Sequence, residues 1–170
     1  MSRREYQYVG PIEIVETARS QPSGIQIRSS GDIAQWLQAA PTERLPDGTW
    51  VATFTVGTDE TLRLAPRRSE HVACASGGPV LSAGEITIDD ELNIIEISNQ
   101  STGFCPEPES WIAVQPVLER LGLSHPGQFT NAVVFRQCPK CKERNIVKGS
   151  WYQCQLCDAG LPSTWNFTST

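Results

Sequence analysis

The sequence predicts an α+β fold, in which an antiparallel β-meander of about four to six strands packs against two or three helices and a cysteine-rich unit follows. Two observations predict the sheet and the helices. Runs rich in β-forming residues occur in two successive pairs with turn residues between them, and runs with helical periodicity flank those pairs. A third observation predicts the last unit, because four of the six cysteines lie in two close pairs after residue 135.

Two helices are expected before the sheet. In the first, apolar residues recur at every third position, and in the second Ile33, Trp36 and Leu37 share one face. Ser29 or Ser30 is placed to cap the second helix. The predicted elements, in chain order, are a helix over 12–19, a brief extended piece over 25–27 and a helix over 31–39.

The sheet is predicted as two hairpins. The first run alternates as expected for a strand with one buried face, and turn residues after the first strand of each pair favour a hairpin. The four strands are predicted at 50–56, 61–64, 80–88 and 92–97. A helix over 108–121 follows, with Gly122 as its C-cap, and a last strand over 132–135 leads directly into the first cysteine pair.

Length and composition place the chain in the globular class. It has 170 residues, of which 39% are hydrophobic and 19% charged, so it can bury a substantial core. No run approaches the roughly 20 apolar residues of a membrane span, and the N-terminus leads into no apolar signal core. We therefore expect a cytoplasmic protein with three parts: an α+β domain at 1–135, a docked unit at 136–162 and a C-terminal tail at 163–170.

The two cysteine pairs have the spacing of a metal site. Cys138 and Cys141 form one Cys-x-x-Cys pair, and Cys154 and Cys157 form a second pair twelve residues later. Each pair can supply two thiolates from a tight turn, and the segment 145–153 is expected to form strand, turn and strand that bring the turns together. The pattern resembles a zinc ribbon with one structural Zn²⁺ ion, which completes the predicted fold class; a redox dithiol pair and two disulfides are the alternatives. Four thiolates would close the coordination sphere, so metal removal should unfold this unit alone.

Charge is distributed unevenly along the chain. The net charge is -5, yet residues 136–170 hold five basic and two acidic groups, whereas residues 67–135 hold three basic and nine acidic groups. The basic side chains could contact phosphates and Trp151 or Tyr152 could stack on a base, but a solvated face with aromatic cover for the metal is the simpler interpretation. The five basic residues are Arg136, Lys140, Lys142, Arg144 and Lys148.

A second group of candidate residues lies in two polar, glycine-containing loops, at 69–78 and 98–106. The predicted strand pairing puts both loops at one edge of the sheet, where sites are often built. The side chains gathered there would be His71, Cys74, Ser101 and Cys105.

Three interpretations of this group remain open. In the first, His71 and Cys105 form a catalytic base and nucleophile. In the second, His71, Cys74 and Cys105, with His125, hold a second metal ion. In the third, the histidine is hydrogen-bonded and the cysteines fill the core. A variant of the third makes the region a ligand-binding pocket with walls and mouth formed by Arg67, Arg68, Ser69, His71, Gln100 and Ser101.

Part of this region resembles a known family. His71, the run Gly-Gly-Pro-Val to Ala-Gly-Glu-Ile at 77–86, and the segment 101–106 before a helix are similar to the core of the plant calmodulin-binding IQ-motif proteins and related bacterial segments. The chain departs from that family at 72–73, where the family has serines, and at 103–105, where it has His-Tyr-x, and it contains no IQ motif. The whole chain also resembles an uncharacterised bacterial zinc-ribbon family. Neither resemblance implies a reaction.

The sequence as a whole predicts a non-catalytic, intracellular zinc-binding interaction or regulatory module, with a protein as its partner. Its acidic middle and basic C-terminal unit favour a contact that depends on charge complementarity. One alternative is a small enzyme or ligand-binding protein that uses His71, Ser101 and Cys105. Another is nucleic-acid binding through the basic unit.

Overall fold

A five-stranded antiparallel sheet forms the centre of the protein. The computed structural model describes residues 3–40 and 43–168. The strands pair in the order β1-β3-β2-β4-β5, and each pairing is antiparallel, which confirms the predicted α+β class. The strands are β1 (Ile25–Ile27), β2 (Trp50–Gly57), β3 (Leu62–Pro66), β4 (Val80–Ile88) and β5 (Ile94–Ile97).

Four α-helices and a second, two-stranded sheet are present in the described part of the chain. The three predicted helices are confirmed, and Ser29 caps the second of them by accepting the Asp32 N–H while the Asp32 side chain accepts the Ser29 N–H. The single-turn helix α3 was not predicted. Among the residues described, no helix is both long enough and apolar enough to cross a bilayer. The elements are α1 (Ile12–Ala18), α2 (Ser30–Ala39), α3 (His71–Cys74), α4 (Trp111–Arg120), β6 (Val134–Gln137) and β7 (Arg144–Val147).

The strand order departs from a simple meander at one point. The hairpins β2–β3 and β4–β5 form as predicted, but β4 pairs with β2 instead of β3. The connection from β3 to β4 covers residues 67–79 and includes α3, so it is long enough to pass across β2. A central position suits β2, because seven of its eight residues are buried.

The prediction that β2 has one exposed face is wrong, since both faces are covered. On one side Phe54 belongs to the main core, which α2 and α4 cover. On the other side the polar residues Thr53 and Thr55 are buried and hydrogen-bonded: Thr53 Oγ1 donates to the Arg67 carbonyl at 3.1 Å, and Thr55 Oγ1 lies 3.6 Å from Cys74 Sγ. The polar residues of the alternating pattern therefore face α3 and the chain beside it.

Segments near both ends of the described chain pack against this second face. Tyr6 forms an isolated bridge with Val80 of β4 and is buried in a cluster with Phe104. Trp165 packs against the same cluster and donates its indole N–H to the Cys105 carbonyl at 2.8 Å. The segment predicted as a tail is thus packed against the protein through at least Phe167, which is 4% exposed and lies in a cluster with Cys105 and Phe135.

The cysteine-bearing unit begins with β6. We call residues 134–162 the cysteine ribbon and residues 3–40 and 43–133 the sheet body; the predicted boundary after residue 135 falls inside β6. The strand, turn and strand predicted for 145–153 form only in part, because β7 pairs with β6 and the return is a single bridge between Lys148 and Trp151. The first cysteine turn reverses the chain directly beside β6, so β6 is the partner available to β7.

A buried ion pair joins the cysteine ribbon to the sheet body. Arg136 Nη1 lies 2.6 Å from Glu107 Oε1, and the two side chains are only 5% and 15% exposed. Arg136 also donates to the Ser163 carbonyl at 2.8 Å. The side chain of Asn166 also forms two hydrogen bonds with the backbone of Gln137 in β6: it accepts the Gln137 N–H at 2.8 Å and donates to the Gln137 carbonyl at 2.6 Å. These contacts hold the cysteine ribbon against the rest of the protein.

Candidate metal centre

The four cysteines of the ribbon lie close enough together to share one metal ion. Their Sγ atoms are all within 4.8 Å of one another. The pairs Cys138–Cys157 and Cys141–Cys154 are each 3.6 Å apart. Four sulfurs arranged tetrahedrally at about 2.3 Å from one ion would be about 3.8 Å apart, so the arrangement matches a four-thiolate site.

Both cysteine pairs adopt the same backbone turn. In each turn the first cysteine, Cys138 or Cys154, donates its N–H to the carbonyl five residues later at 2.8 Å. The residue after the second cysteine, Lys142 or Asp158, returns its N–H to the carbonyl of the first cysteine at 3.0 Å and has a positive φ, 67° or 60°. Positive φ is uncommon in residues other than glycine. The hydrogen bonds of the turn hold this backbone and so fix where the sulfurs point.

N–H groups around the sulfur atoms favour the ionised thiolate. Cys138 Sγ accepts the Cys141 N–H at 3.4 Å, and this backbone hydrogen bond is the main reason that the pKa of Cys138 is lowered. Cys154 Sγ accepts the Leu156 N–H at 3.4 Å and the Asn145 side-chain amide at 3.5 Å. Burial opposes the ionisation of Cys154, but the backbone N–H groups of its turn and the Asn145 amide outweigh it and lower the pKa to about 6.

The same cluster resists carrying four thiolates without a cation. The backbone N–H of Glu143 favours the Cys141 thiolate, but burial and the three neighbouring sulfurs raise the pKa of Cys141 to about 12. Like charges at these distances repel one another, and a bound metal cation reverses the effect because it keeps its thiol ligands deprotonated. The donor set therefore fits a metal ion.

The side chains around the cluster only partly match the expected aromatic cover. Val147 and Leu161 are buried beside the cysteines, and Tyr152 packs against them. Trp151 does not cover the site, because it is 67% exposed. Its bridge with Lys148 places it at the tip of the turn after β7, beyond the cysteines.

The five basic residues of the ribbon have different surroundings. Arg136 is 4% exposed and forms the ion pair described above, so it does not present a charge to solvent. Arg144 and Lys142 each donate to a backbone carbonyl. Lys140 and Lys148 are exposed.

His71 lies over an inner strand and not at a sheet edge as predicted. Its Nε2 is 3.0 Å from the Gly84 carbonyl of β4, which lies between β2 and β5. Burial lowers the pKa of His71 and outweighs the opposing effects of this hydrogen bond and of nearby carboxylates. Both predicted loops reach Gly84, because His71 of the first loop bonds to its carbonyl and a Cβ added at Gly84 would be 1.9 Å from the carbonyl oxygen of Ser98 in the second loop.

The two cysteines of the sheet body are buried and have different surroundings. Cys74 Sγ lies 3.6 Å from Thr55 Oγ1, whereas Cys105 lies in an aromatic cluster and its thiol donates to the Thr102 carbonyl at 3.5 Å. Burial raises the pKa of Cys74 to about 11 and that of Cys105 to about 12. Cys74 also donates to the Arg63 carbonyl at 3.6 Å, and neither thiol bonds to His71. The geometry thus lacks the base and nucleophile contact that the first interpretation needs.

The second metal site suggested by the sequence does not form. Within the described residues, the ribbon cysteines are the one group of three or more histidine, cysteine or acidic side chains that could hold an ion. His125, the proposed fourth ligand, accepts the Gly127 N–H through Nδ1 at 3.1 Å, and its ring centroid lies 5.6 Å from that of Trp111. His71, Cys74 and Cys105 therefore belong to the packing of the sheet body.

The residues predicted to bind a ligand are spread over different environments. Arg67 lies 3.7 Å from the carboxylate of Glu85, and Ser101 is buried, with no hydrogen-bond partner for its Oγ in the described part of the chain. The remaining members besides His71 are exposed or half-buried: Arg68, Ser69 and Gln100. None of the six lines the three cavities described next.

The largest of these three cavities is a groove of about 1010 Å³ where the cysteine ribbon meets the sheet body. Its lining includes Arg4, Trp111, Tyr152 and Trp165, and the Arg4 guanidinium lies 4.9 Å from the centre of the Trp165 ring. Smaller cavities lie between α1 and α3, of about 400 Å³, and on the ribbon, of about 470 Å³. No sequence pattern indicated the groove, because its lining comes from segments scattered between residues 3 and 165.

Comparisons with known proteins add no family to these observations. No protein-family model matches the chain, and no curated protein or solved structure is significantly similar to it. The resemblances to the plant calmodulin-binding proteins and to a bacterial zinc-ribbon family therefore stay predictions.

Proposed function

We propose that this protein is a non-catalytic zinc-binding interaction module, in which one structural Zn²⁺ ion folds the cysteine ribbon and the partner is another protein. The observation that carries the proposal is the cluster of four cysteine sulfurs within 4.8 Å of one another. Four thiolates fill a tetrahedral coordination sphere and leave no position for water or substrate, which is the arrangement of structural zinc sites.

The donor atoms favour zinc over other metals. Soft thiolates select zinc, copper(I) or iron, and four cysteines from two short turns are the usual ligand set of a zinc ribbon. Hard cations such as Ca²⁺ and Mg²⁺ require oxygen ligands. The N–H groups that point at Cys138 and Cys154 supply the outer hydrogen bonds that tune such a site.

The sheet body supports a role without catalysis. An activated cysteine needs a lowered pKa and a base at hydrogen-bond distance, whereas burial raises the pKa of Cys105 to about 12 and His71 bonds to Gly84. Paired cysteines at metal-ligand spacing stay reduced, and so free to bind a metal, in a reducing compartment; for that reason we infer a cytoplasmic protein.

Metal analysis combined with thiol alkylation tests the proposal. Native mass spectrometry of protein purified without added metal should show one zinc per chain. Iodoacetamide at pH 7 should leave the loaded protein unmodified and, after chelation, should modify the four cysteines of the ribbon first.

Three results would count against this function. A chain that binds no metal, or that holds iron when expressed in metal-balanced medium, would contradict the structural zinc site. Selective alkylation of Cys105 in the zinc-loaded protein would favour the alternative of a small enzyme.

A further inference from the structure

We propose that the outer surface of the cysteine ribbon, formed around Trp151 and Leu156, docks a protein segment that combines acidic residues with large aliphatic side chains. The inference rests on the proposed function, because the surface exists only while the ribbon is folded. It adds to that function the position of the contact and the chemistry of the partner.

The first support is the exposure of two large apolar side chains. Trp151 is 67% and Leu156 69% exposed, and they are the most exposed of the six exposed large hydrophobic residues in the described part of the chain. Single exposed apolar residues are common on protein surfaces, but a group of them on one face indicates a contact site. The position of the two side chains relative to each other therefore decides the argument.

Lys148 connects the two apolar side chains into one surface. Lys148 and Trp151 face each other in an antiparallel bridge, and residues directly opposite in such a pair project on the same side. Lys148 also lines the cavity of about 470 Å³ together with Ile146 and Leu156. The surface is thus a patch formed by two aliphatic side chains in an otherwise polar cavity, with an indole beside it and the Lys148 ammonium group between them.

Charge around the patch selects an acidic partner. Residues 140–148 contain four basic residues and one acidic residue. Arg144 and Lys148 line the cavity, and none of the lysines in this stretch takes part in an ion pair in the described structure. Charges at the rim of an interface steer association and select partners of opposite sign.

The same observations favour a protein over a nucleic acid. Single strands bind along a basic groove with aromatic rings on which successive bases stack. Here Trp151 is the one exposed ring on the ribbon, because Tyr152 packs against the cysteines and lines the groove at the sheet body. The cavity that Lys148 lines has two aliphatic side chains in its walls, Ile146 and Leu156, and these match the aliphatic side chains of a protein segment.

Selection from a random peptide display library on the zinc-loaded full chain tests the inference. The enriched peptides should carry glutamate or aspartate beside leucine, isoleucine or valine. A representative synthetic peptide should bind the variants Trp151→Ser and Leu156→Ser at least about tenfold more weakly, since central apolar residues carry most of the binding energy in such contacts. Ile112→Ser is the matched control, because Ile112 is also exposed, at 43%, but lies on α4, and it should bind as the wild type does.

Three outcomes would overturn the inference. The first is enrichment of peptides without acidic residues. The second is equal peptide binding by the two ribbon variants and the wild type. The third is tighter binding to an oligothymidylate of about fifteen nucleotides than to any selected peptide. A dimer in light scattering that Leu156→Ser abolishes would also overturn it, by showing that a second copy of the chain covers the surface. Zinc content measured on the same samples separates this failure from failure of the metal site.

Discussion

The sheet body and the cysteine ribbon are folded by different interactions. The main core of the sheet body contains 21 buried residues from strands, helices and loops. The core of the cysteine ribbon contains four buried residues, and two of them are Cys138 and Cys154. Units below about 40 residues rarely bury enough apolar surface to fold alone and commonly depend on a metal or a disulfide. If the proposed function is correct, stability is spread over many side chains in the sheet body and is concentrated at one metal ion in the cysteine ribbon.

The contrast also explains where each region tolerates change. A domain with many buried core residues loses only part of its stability when one of those residues is replaced. A four-ligand site is lost when one ligand is removed, because binding and folding are coupled. Mutations should therefore have graded effects in the sheet body and all-or-none effects at the metal ligands.

The largest effect is expected for Cys138→Ser. Removing one of four thiolates should abolish zinc binding and unfold the ribbon, since structural zinc contributes on the order of 10 kcal/mol to such units. Cys74→Ser is the matched control, because it alters a buried cysteine of the sheet body and should keep the zinc at a cost of about 1 kcal/mol. Zinc content and amide exchange measure both effects. Retention of zinc by Cys138→Ser would show that the site does not need four thiolates.

The next largest effect is expected for Glu107→Gln, which breaks the buried link between the two regions. Leaving Arg136 buried without its carboxylate should cost about 3 kcal/mol in urea unfolding while the zinc stays bound. Glu60→Gln provides the comparison, because Glu60 pairs with Arg3 at the surface, where its side chain is 48% exposed. That change should cost less than about 1 kcal/mol. Equal costs would mean that the buried pair does not couple the regions.

A smaller and purely local effect is expected for Gly84→Ala. The new methyl group would lie 1.9 Å from the Ser98 carbonyl, so β4 or the facing loop must move, at a cost of about 2 kcal/mol. Gly160→Ala is the counterpart in the ribbon, since an added Cβ there would have no described atom within 4 Å apart from those of Gly160 and its two chain neighbours. Thermal unfolding should separate the two variants. A neutral Gly84→Ala would show that the close approach of the loop can relax.

The smallest effect is expected for Asp59→Asn and should depend on pH. Hydrogen bonds from the Arg63 side chain lower the pKa of Asp59 from 3.8 to about 2. The ion pair therefore stabilises the fold above about pH 4, and this contribution is lost as pH falls toward 2. Because Asp59 is 51% exposed, the cost at pH 6 should stay below about 1 kcal/mol and should vanish near pH 2. A cost that grows on acidification would contradict this assignment.

Local sequence patterns predicted most of the secondary structure. The cap at Ser29 or Ser30, the helical periodicity of α4 and the turn residues of the hairpins are features of a few neighbouring residues. Each is observed, with Ser29 as the cap. The pairing of β2 with β4 was not predictable in the same way, because it depends on which faces the helices cover. Thr53 and Thr55 gave the sequence of β2 the pattern of a half-exposed strand, although both are buried beside α3.

The metal site, like the helices and hairpins, was predictable because its signal lies in a short stretch of sequence. The spacing of two Cys-x-x-Cys pairs is typical of four sulfurs that bind one ion, and the four sulfurs lie together in the structure. His71 and Cys105 had no such local constraint, and the buried neighbours of each decide their chemistry. The groove beside Trp165 and the exposed patch at Leu156 depend on tertiary packing, which cannot be predicted from the hydrophobic periodicity of the sequence.

Hydrogen–deuterium exchange before and after zinc chelation tests most directly whether one ion folds the cysteine ribbon alone. After chelation, amide protection should be lost from β6 to Leu161 and should be retained in β2, β4 and α4. Restored protection after addition of one equivalent of zinc would complete the expected result. Unchanged protection in β6 and β7 after complete metal removal would contradict the claim, as would simultaneous loss of protection in the central sheet.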